Sequence, residues 1–154
     1  MNPLLEYINN QNIIYDLKAK DKEEVIRELV THGVEVGMIE QDLQDEIFTS
    51  LINRESSMST GIGSGVAIPH CSINAISSLI MIIGISRDGI PFDAIDNLPV
   101  NIFVMMVVPK NKFQDHIKTL AVIAKTLNLK EERDKLISSK SYDDLVSIIS
   151  TNSK

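Results

Sequence analysis

Residues 61–70 concentrate the residue types in this chain that could do chemistry. Three glycines stand at positions 61, 63 and 65, and an apolar tripeptide then leads to Pro69 and His70. Glycine lets backbone N–H groups approach an anion because no Cβ atom is in the way. Proline fixes its own φ and favours extended geometry in the preceding residue, so His70 leaves the segment in a defined direction. The pattern favours a histidine that meets phosphate beside a cradle of backbone amides.

The predicted amide cradle consists of Gly61, Gly63, Ser64 and Gly65. The residue types also leave an alternative open, a glycine-rich turn with an incidental surface histidine. The spacing is not that of a dinucleotide-binding fingerprint, because Val66 stands where a third glycine is needed. Nor does the segment carry the Gly-Lys-Ser/Thr sequence of a P-loop.

Two cationic residues outside this segment are candidates for contact with the same anion. Arg54 is either an ordinary charge near the end of a helix or a guanidinium whose planar fork binds phosphate oxygens. His116 is either a solvated side chain or a second imidazole near an anion that a helix N-terminus also attracts. Asp93 and Asp96, by contrast, are expected to serve as turn and cap residues, because no third metal ligand is near them in the sequence.

Length, composition and net charge indicate a single globular domain and disfavour some classes of partner. The 154 residues fit one domain, 1–154, and 44% apolar and 23% charged residues are ordinary values for a globular protein. The net charge of −6 weighs against nucleic acid and anionic membrane as partners. No apolar stretch reaches the ~18 residues of a membrane span, and the start does not resemble a signal peptide. The single cysteine agrees with a cytoplasmic location, and no metal or cofactor is expected, because the histidines stand at unrelated spacings.

Hydrophobic periodicity and capping residues predict the elements that position these side chains. Apolar and β-branched runs predict strands over residues 13–17, 79–86 and 100–108. Helices are predicted after the caps Asp21 (with Glu24) and Ser141 (with Asp144), over 40–53, from about 114, and over 131–137. A turn is expected over 87–89, and the helix from 114 is expected to bury Ile117, Leu120, Ala121, Ala124 and Leu127. The alternation of helices with apolar strands indicates an α/β domain with a largely buried sheet.

Several of these segments together resemble the fructose/mannitol type of enzyme IIA domain in the bacterial phosphoenolpyruvate:sugar phosphotransferase system. The resemblance runs from about residue 13 to 149. The motifs at residues 59–63 and 92–96 are more similar to those of the nitrogen-regulatory and fructose members than to those of the mannitol members. The matching stretches are residues 54–55, 59–63, 65–70, 89–96, 99–100 and 115–121. Cys71 departs from the pattern, since relatives often have glycine there, and it is expected to fill space.

The resemblance implies a mixed sheet with helices on both faces. It also implies that His70 is phosphorylated on a ring nitrogen by a phosphohistidine carrier of the HPr type, with Arg54 and His116 around the phosphoryl group. The physical chemistry agrees, because a neutral imidazole is available as a nucleophile near neutral pH. Phosphoryl transfer depends mainly on positioning and positive charge. Because the partner must approach His70 directly, an exposed, partly apolar rim is expected around this residue.

Three functions are compatible with these residues. The chain either passes phosphate from His70 to a IIB protein in sugar uptake or acts as a regulatory phosphoprotein that binds target proteins according to the state of His70. The sequence has no fused IIB or membrane IIC segment, which favours regulation. A hydrolase that uses Cys71 or Ser64 with His70 is disfavoured, because adjacent side chains in an extended segment point apart.

Overall fold

The computed structural model describes residues 10–57, 59–141 and 143–144. Its centre is a mixed sheet of six strands, which are β1 (Ile13–Ile14), β2 (Gly61–Gly63), β3 (Val66–Ala67), β4 (His70–Ile73), β5 (Ile80–Ile90) and β6 (Val100–Pro109). Their order is β1-β5-β6-β3-β2, and β4 also pairs with β6. The sheet is parallel between β1 and β5 and between β6 and both β3 and β4, and antiparallel elsewhere.

The two longest strands are buried along most of their length because helices cover both faces of the sheet. One apolar core contains Ile82 and Met105 and packs on the side of the helices α1 (Lys22–Glu35) and α2 (Gln44–Ser57). The other core contains Ile83 and Val104 and packs on the side of α3 (Phe113–Leu127) and α4 (Lys130–Ser138). The fold class predicted from the sequence is therefore confirmed.

The first two helices begin near the predicted positions. Asp21 caps α1, and its carboxylate accepts a hydrogen bond from the backbone N–H of Glu24 at 2.9 Å. The second predicted helix divides into a 3₁₀ turn, Gln41–Leu43, and the α-helix α2, which runs four residues beyond the predicted end at Asn53. That extension places Arg54 in the last turn of α2.

The stripe predicted for α3 is partly wrong. Leu127 is buried as expected, but Ile117 is 41% exposed and Ile123 is buried in its place. The buried face of the helix is therefore rotated about its axis relative to the prediction, and Ile117 lines a small cavity instead of packing in the core.

Two strand boundaries also differ from the predictions. Residues 87–89, expected to form a turn, continue β5 as an irregular stretch between Ile85 and Ile90. The side-chain amide of Asn101 donates to the carbonyl of Ser86 at 2.9 Å, and the guanidinium of Arg87 donates to the carbonyls of Tyr15 and Ser139. These long-range hydrogen bonds hold the stretch in addition to a local one, which the backbone N–H of Gly89 donates to Ser86 Oγ at 3.1 Å. Strand β1 keeps only two of the five residues predicted for it.

The helix predicted after Ser141 lies mostly outside the described residues. Its cap is present, since the backbone N–H of Asp144 donates to Ser141 Oγ at 3.2 Å. Among the described residues, no helix combines the length and the apolar character that crossing a membrane requires.

Candidate functional site

The site begins at an interruption between two short strands. Strands β3 and β4 follow one another along the same side of β6, and Ile68 and Pro69 separate them. Proline has no N–H to continue the ladder, although its carbonyl still accepts from Met106 N at 2.9 Å. The break leaves His70 as the first residue of β4 and half-buried.

The interruption also fixes the imidazole of His70. The carbonyl oxygen of Ile68 lies 2.8 Å from His70 Nδ1, which is a hydrogen-bond distance. Since a carbonyl oxygen only accepts, Nδ1 carries the proton in this contact, and in the neutral ring Nε2 is then the nitrogen with the lone pair. The backbone thus selects the tautomer of a potential nucleophile.

An open cleft of about 340 Å³ adjoins His70 on one side. Arg54 lies on its wall, brought there by the last turn of α2, and Ser50 lies one helical turn earlier on the same face. Asn53 and Ser72 add an amide and a second hydroxyl. The cleft therefore gathers a guanidinium and several neutral hydrogen-bonding groups around one face of the imidazole, a set suited to an oxyanion.

A second, small cavity of about 20 Å³ adjoins His70 on the other side. His116, half-buried in the first turn of α3, lines it together with His70. The remaining wall is apolar and includes Met106, Val108 and Leu120. The three side chains predicted from the sequence, at positions 54, 70 and 116, are therefore neighbours of one site although they come from α2, β4 and α3.

Burial and nearby charges act on His70 in different directions. Burial lowers the pKa of the imidazole below its ordinary value, and the hydrogen bond to Ile68 partly offsets this effect. The charge of Arg54 lowers that pKa further, whereas the charge of Glu55 raises it. The net effect is a lowered pKa, so His70 is neutral and nucleophilic near pH 7.

The residues of the predicted amide cradle do not line the cavities beside His70. Gly61, Gly63, Ser64 and Gly65 form a β-hairpin, and none of them lines either cavity beside His70. The register along β6 places Val66 opposite Ile102 and His70 opposite Met106, so the Cα atoms of Val66 and His70 lie about 13 Å apart along the strands. The cavities beside His70 therefore give no support to the predicted phosphate contact of these four residues, which stays a prediction.

The hairpin amides have partners of their own. The backbone N–H of Ser64 donates to a carboxylate oxygen of Asp96 at 2.8 Å, and that of Gly61 donates to Ser59 Oγ at 3.1 Å. The hydrogen bonds that the backbone N–H groups of Ser64 and Leu98 donate to Asp96 lower the pKa of its carboxyl group, and they confirm its predicted role in a turn. A carboxylate beside the turn repels an anion, which is a second reason against a phosphate cradle there.

The thiol of Cys71 is a poor candidate for a nucleophile. Its side chain belongs to the core on the α1 and α2 side of the sheet, and burial raises its pKa to about 12. A protonated, buried thiol is inert, which agrees with a space-filling role and removes support from the hydrolase hypothesis.

Sequence reasoning missed several residues of the site. Ser50, Asn53 and Ser72 line the cleft. The sequence signal was that Ser50 precedes Arg54 by one helical turn and Ser72 follows His70 by two strand residues, whereas Asn53 only adjoins Arg54 in the chain. The apolar rim was predicted, and Phe113 and Ile117 supply it, with 37% and 41% of their surface exposed. The third histidine, His32, lies in the last turn of α1, and its Nε2 is 2.7 Å from the carbonyl of Gln11.

Together these features define an α/β domain built around one half-buried imidazole, flanked by a guanidinium and a second imidazole at the edge of a mixed sheet. The chain belongs to the family described as "Phosphoenolpyruvate-dependent sugar phosphotransferase system, EIIA 2", whose model matches residues 6–152. Domains of this family transfer phosphoryl groups.

Relatives of the chain carry two kinds of name. It is 30% identical over 128 residues to the fructose-specific EIIA component of Haloferax volcanii, with 83% of this chain and 82% of the relative covered. It is 35% identical over 103 residues to a nitrogen regulatory protein of Pseudomonas aeruginosa, with 67% of each covered. It also matches the fructose-specific EIIABC component of Bacillus subtilis at 28% identity, over 98% of this chain but only 24% of that longer protein.

Solved structures share the fold. The nitrogen regulatory protein IIA-Ntr of Neisseria meningitidis superposes with a TM-score of 0.84 at 26% identity, covering 95% of this chain and 98% of that one. The mannitol IIA of Escherichia coli, in its complex with phosphorylated IIB, has the same fold, with a TM-score of 0.76 at 20% identity, covering 94% of this chain and 98% of that one.

Proposed function

We propose that the chain is a phosphohistidine carrier that accepts a phosphoryl group on His70 Nε2 from an HPr-type protein. The observation that supports this most directly is the contact between His70 Nδ1 and the carbonyl of Ile68, which leaves Nε2 as the nucleophile. In the proposed step the Nε2 lone pair forms the N–P bond while the bond between phosphorus and the donor nitrogen breaks. No water or metal takes part in this transfer.

The neighbouring cations have distinct parts in this proposal. Arg54 binds the phosphoryl oxygens through its fork and offsets the negative charge spread over them in the transition state. His116, on the other side of His70, supplies a second hydrogen-bonding ring. The polar wall of the cleft is completed by Ser50, Asn53 and Ser72. In this proposal these side chains, and not the backbone amides of the hairpin, donate hydrogen bonds to the phosphoryl oxygens.

We further propose that the phosphorylated form serves as a regulatory signal, as the name of the nitrogen regulatory relatives implies for them. The second candidate is donation of phosphate to a IIB protein in fructose or mannitol uptake. It is favoured by the fructose-specific relative and by the mannitol IIA that was solved as a complex with phosphorylated IIB.

The test is phosphoryl transfer in a reconstituted system. Incubation with phosphoenolpyruvate, enzyme I and an HPr-type carrier should label the chain, the label should be acid-labile, and His70→Ala should abolish it. His32→Ala is the matched control and should be labelled normally, because His32 lies on α1 away from the cleft. An acid-stable label would indicate a hydroxyl acceptor and contradict the proposal. Transfer of the label onward to a fructose-type IIB protein would favour uptake over regulation.

A further inference from the structure

Glu55 is a buried carboxylate directly beside the functional site. Only 3% of the residue is exposed, although the neighbouring Arg54 lines the open cleft. Its carboxylate accepts hydrogen bonds from the backbone N–H of Thr60 at 3.0 Å and from the Thr60 hydroxyl. Burying a carboxylate is costly unless it is hydrogen-bonded and paired, and Lys22 Nζ, 3.8 Å from Oε2, supplies the opposite charge.

The hydrogen bonds of Glu55 hold the end of α2. Helix α2 ends at Ser57, and the chain then turns back into β2 at Gly61. Helix ends fray readily, and this last turn carries the guanidinium that faces His70. The link from Glu55 to Thr60 ties that turn to the sheet, so the orientation of Arg54 depends on it.

The same link continues to the imidazole through backbone hydrogen bonds. The carbonyl of Thr60 accepts from the N–H of Ile68 at 3.1 Å, and the carbonyl of Ile68 lies 2.8 Å from His70 Nδ1. Glu55 therefore stands at the start of a continuous path that fixes both flanks of the site. One flank is the last turn of α2, and the other is the interruption between β3 and β4.

Lys22 extends the arrangement to a third element. It is the first residue of α1, and its ammonium also lies 3.7 Å from a carboxylate oxygen of Asp93 and 5.3 Å from the centre of the Phe92 ring. The two carboxylates and the aromatic face hold the ammonium over the end of α2. Lys22 thus helps to keep the carboxylate of Glu55 in place at the end of α2.

We propose that Glu55 is a positioning residue for the phosphoryl transfer described above. Its carboxylate holds the last turn of α2 through Thr60, and its charge opposes that of Arg54 at His70. This inference rests on the proposed function of His70, but the two can fail separately, because the titration of His70 is measurable without any transfer.

The charge is tested with Glu55→Gln, which keeps the size of the side chain and one acceptor oxygen for the N–H of Thr60, while its NH2 group can donate to the Thr60 hydroxyl. Glu55 raises the pKa of His70, so its loss should move the midpoint of the His70 titration to lower pH, as followed by NMR of the imidazole. The matched control is Glu132→Gln, since Glu132 is also buried but lies on α4. This control should leave the His70 midpoint unchanged. An unchanged midpoint in Glu55→Gln would overturn the electrostatic half of the proposal.

The positional link is tested at Thr60. Thr60→Val removes the hydroxyl but keeps the charge of Glu55, so transfer should slow by about tenfold while the His70 midpoint stays in place. Thr60→Ser restores the hydroxyl and should restore the rate. Equal rates in Thr60→Val and Thr60→Ser would overturn the claim that Glu55 positions the last turn of α2 through Thr60. This pair of variants tests that claim even if Glu55→Gln fails to fold. Absence of labelling in the unsubstituted chain would instead refute the proposed function.

Discussion

The hydrogen bond at His70 matters because an imidazole can react through either nitrogen. A surface histidine interconverts between tautomers, whereas the Ile68 carbonyl, released from the sheet ladder beside Pro69, selects one of them. The energetic cost of protonating the ring is raised in turn by burial and by Arg54. The carbonyl thus selects the tautomer with its lone pair on Nε2. Burial and the guanidinium of Arg54 favour the neutral form of the ring.

The paired donors of the Arg54 guanidinium should matter for transfer beyond its positive charge. Arg54→Lys keeps the positive charge but loses the planar pair of donors, so transfer to His70 should fall by about tenfold to a hundredfold. The midpoint of the His70 titration should change little. The rate is measured by rapid-quench labelling from the phosphorylated carrier. A rate equal to that of the unsubstituted chain would remove Arg54 from the transfer step.

The second prediction concerns pH. Because the neutral ring is the acceptor, transfer should fade as the pH drops through the lowered pKa of His70, below the ordinary value of about 6.5. Arg54→Gln removes one of the causes that lower this pKa, so the acid limb of the rate profile should move to higher pH. The companion measurement is the NMR titration of His70, which should move in the same direction. A shift to lower pH would contradict the proximity of the two groups.

At the scale of elements, the glycine hairpin serves packing and turn geometry. Gly65 has φ +80°, and a Cβ atom there would lie 2.9 Å from Asn101 Oδ1. The Asn101 side chain cannot easily move away, because its amide donates to the carbonyl of Ser86. The sequence showed correctly that glycine is needed in this segment, but the requirement comes from close approach and left-handed backbone.

We expect Gly65→Ala to lower the free energy of unfolding by about 2–3 kcal/mol, from backbone strain and the contact with Asn101 together. Gly37→Ala is the matched control. Gly37 has φ +81° with open space around its would-be Cβ, so it should lose only about 1 kcal/mol. Urea unfolding gives both values. Labelling of His70 in folded Gly65→Ala should equal that of the unsubstituted chain, whereas an amide cradle for phosphate would require it to fall.

Local sequence signals predicted elements well where the elements depend on local chemistry. The cap at Asp21 and the buried run of β6 needed only neighbouring residues to be read correctly. The continuation of β5 through residues 87–89 depends on Asn101 and on carbonyls of Tyr15 and Ser139, which lie far away in the sequence. The buried face of α3 was also predicted only in part, because the apolar periodicity does not decide whether Ile117 or Ile123 packs in the core.

At the scale of the whole molecule, the fold brings together three side chains separated by 16 and 46 residues in the sequence, at positions 54, 70 and 116. Spacing alone could not show this convergence, and it was the resemblance to a known family that joined them. The structure adds what the resemblance lacked, namely the polar cleft on one side of His70 and the apolar cavity on the other. A protein partner that reaches His70 must cross the rim between them.

That rim gives the last prediction. Ile117 is 41% exposed and lines the cavity beside His70, so it should contact the phosphocarrier when the two histidines approach one another. Ile117→Ser should raise the KM for the carrier by roughly tenfold, as expected for loss of an apolar anchor, with a much smaller change in kcat. Val122→Ser is the control, because Val122 is 39% exposed on the same helix but points about 140° away. Steady-state transfer at varied carrier concentration separates the two parameters. Equal KM values for both variants would place the carrier interface elsewhere on the molecule.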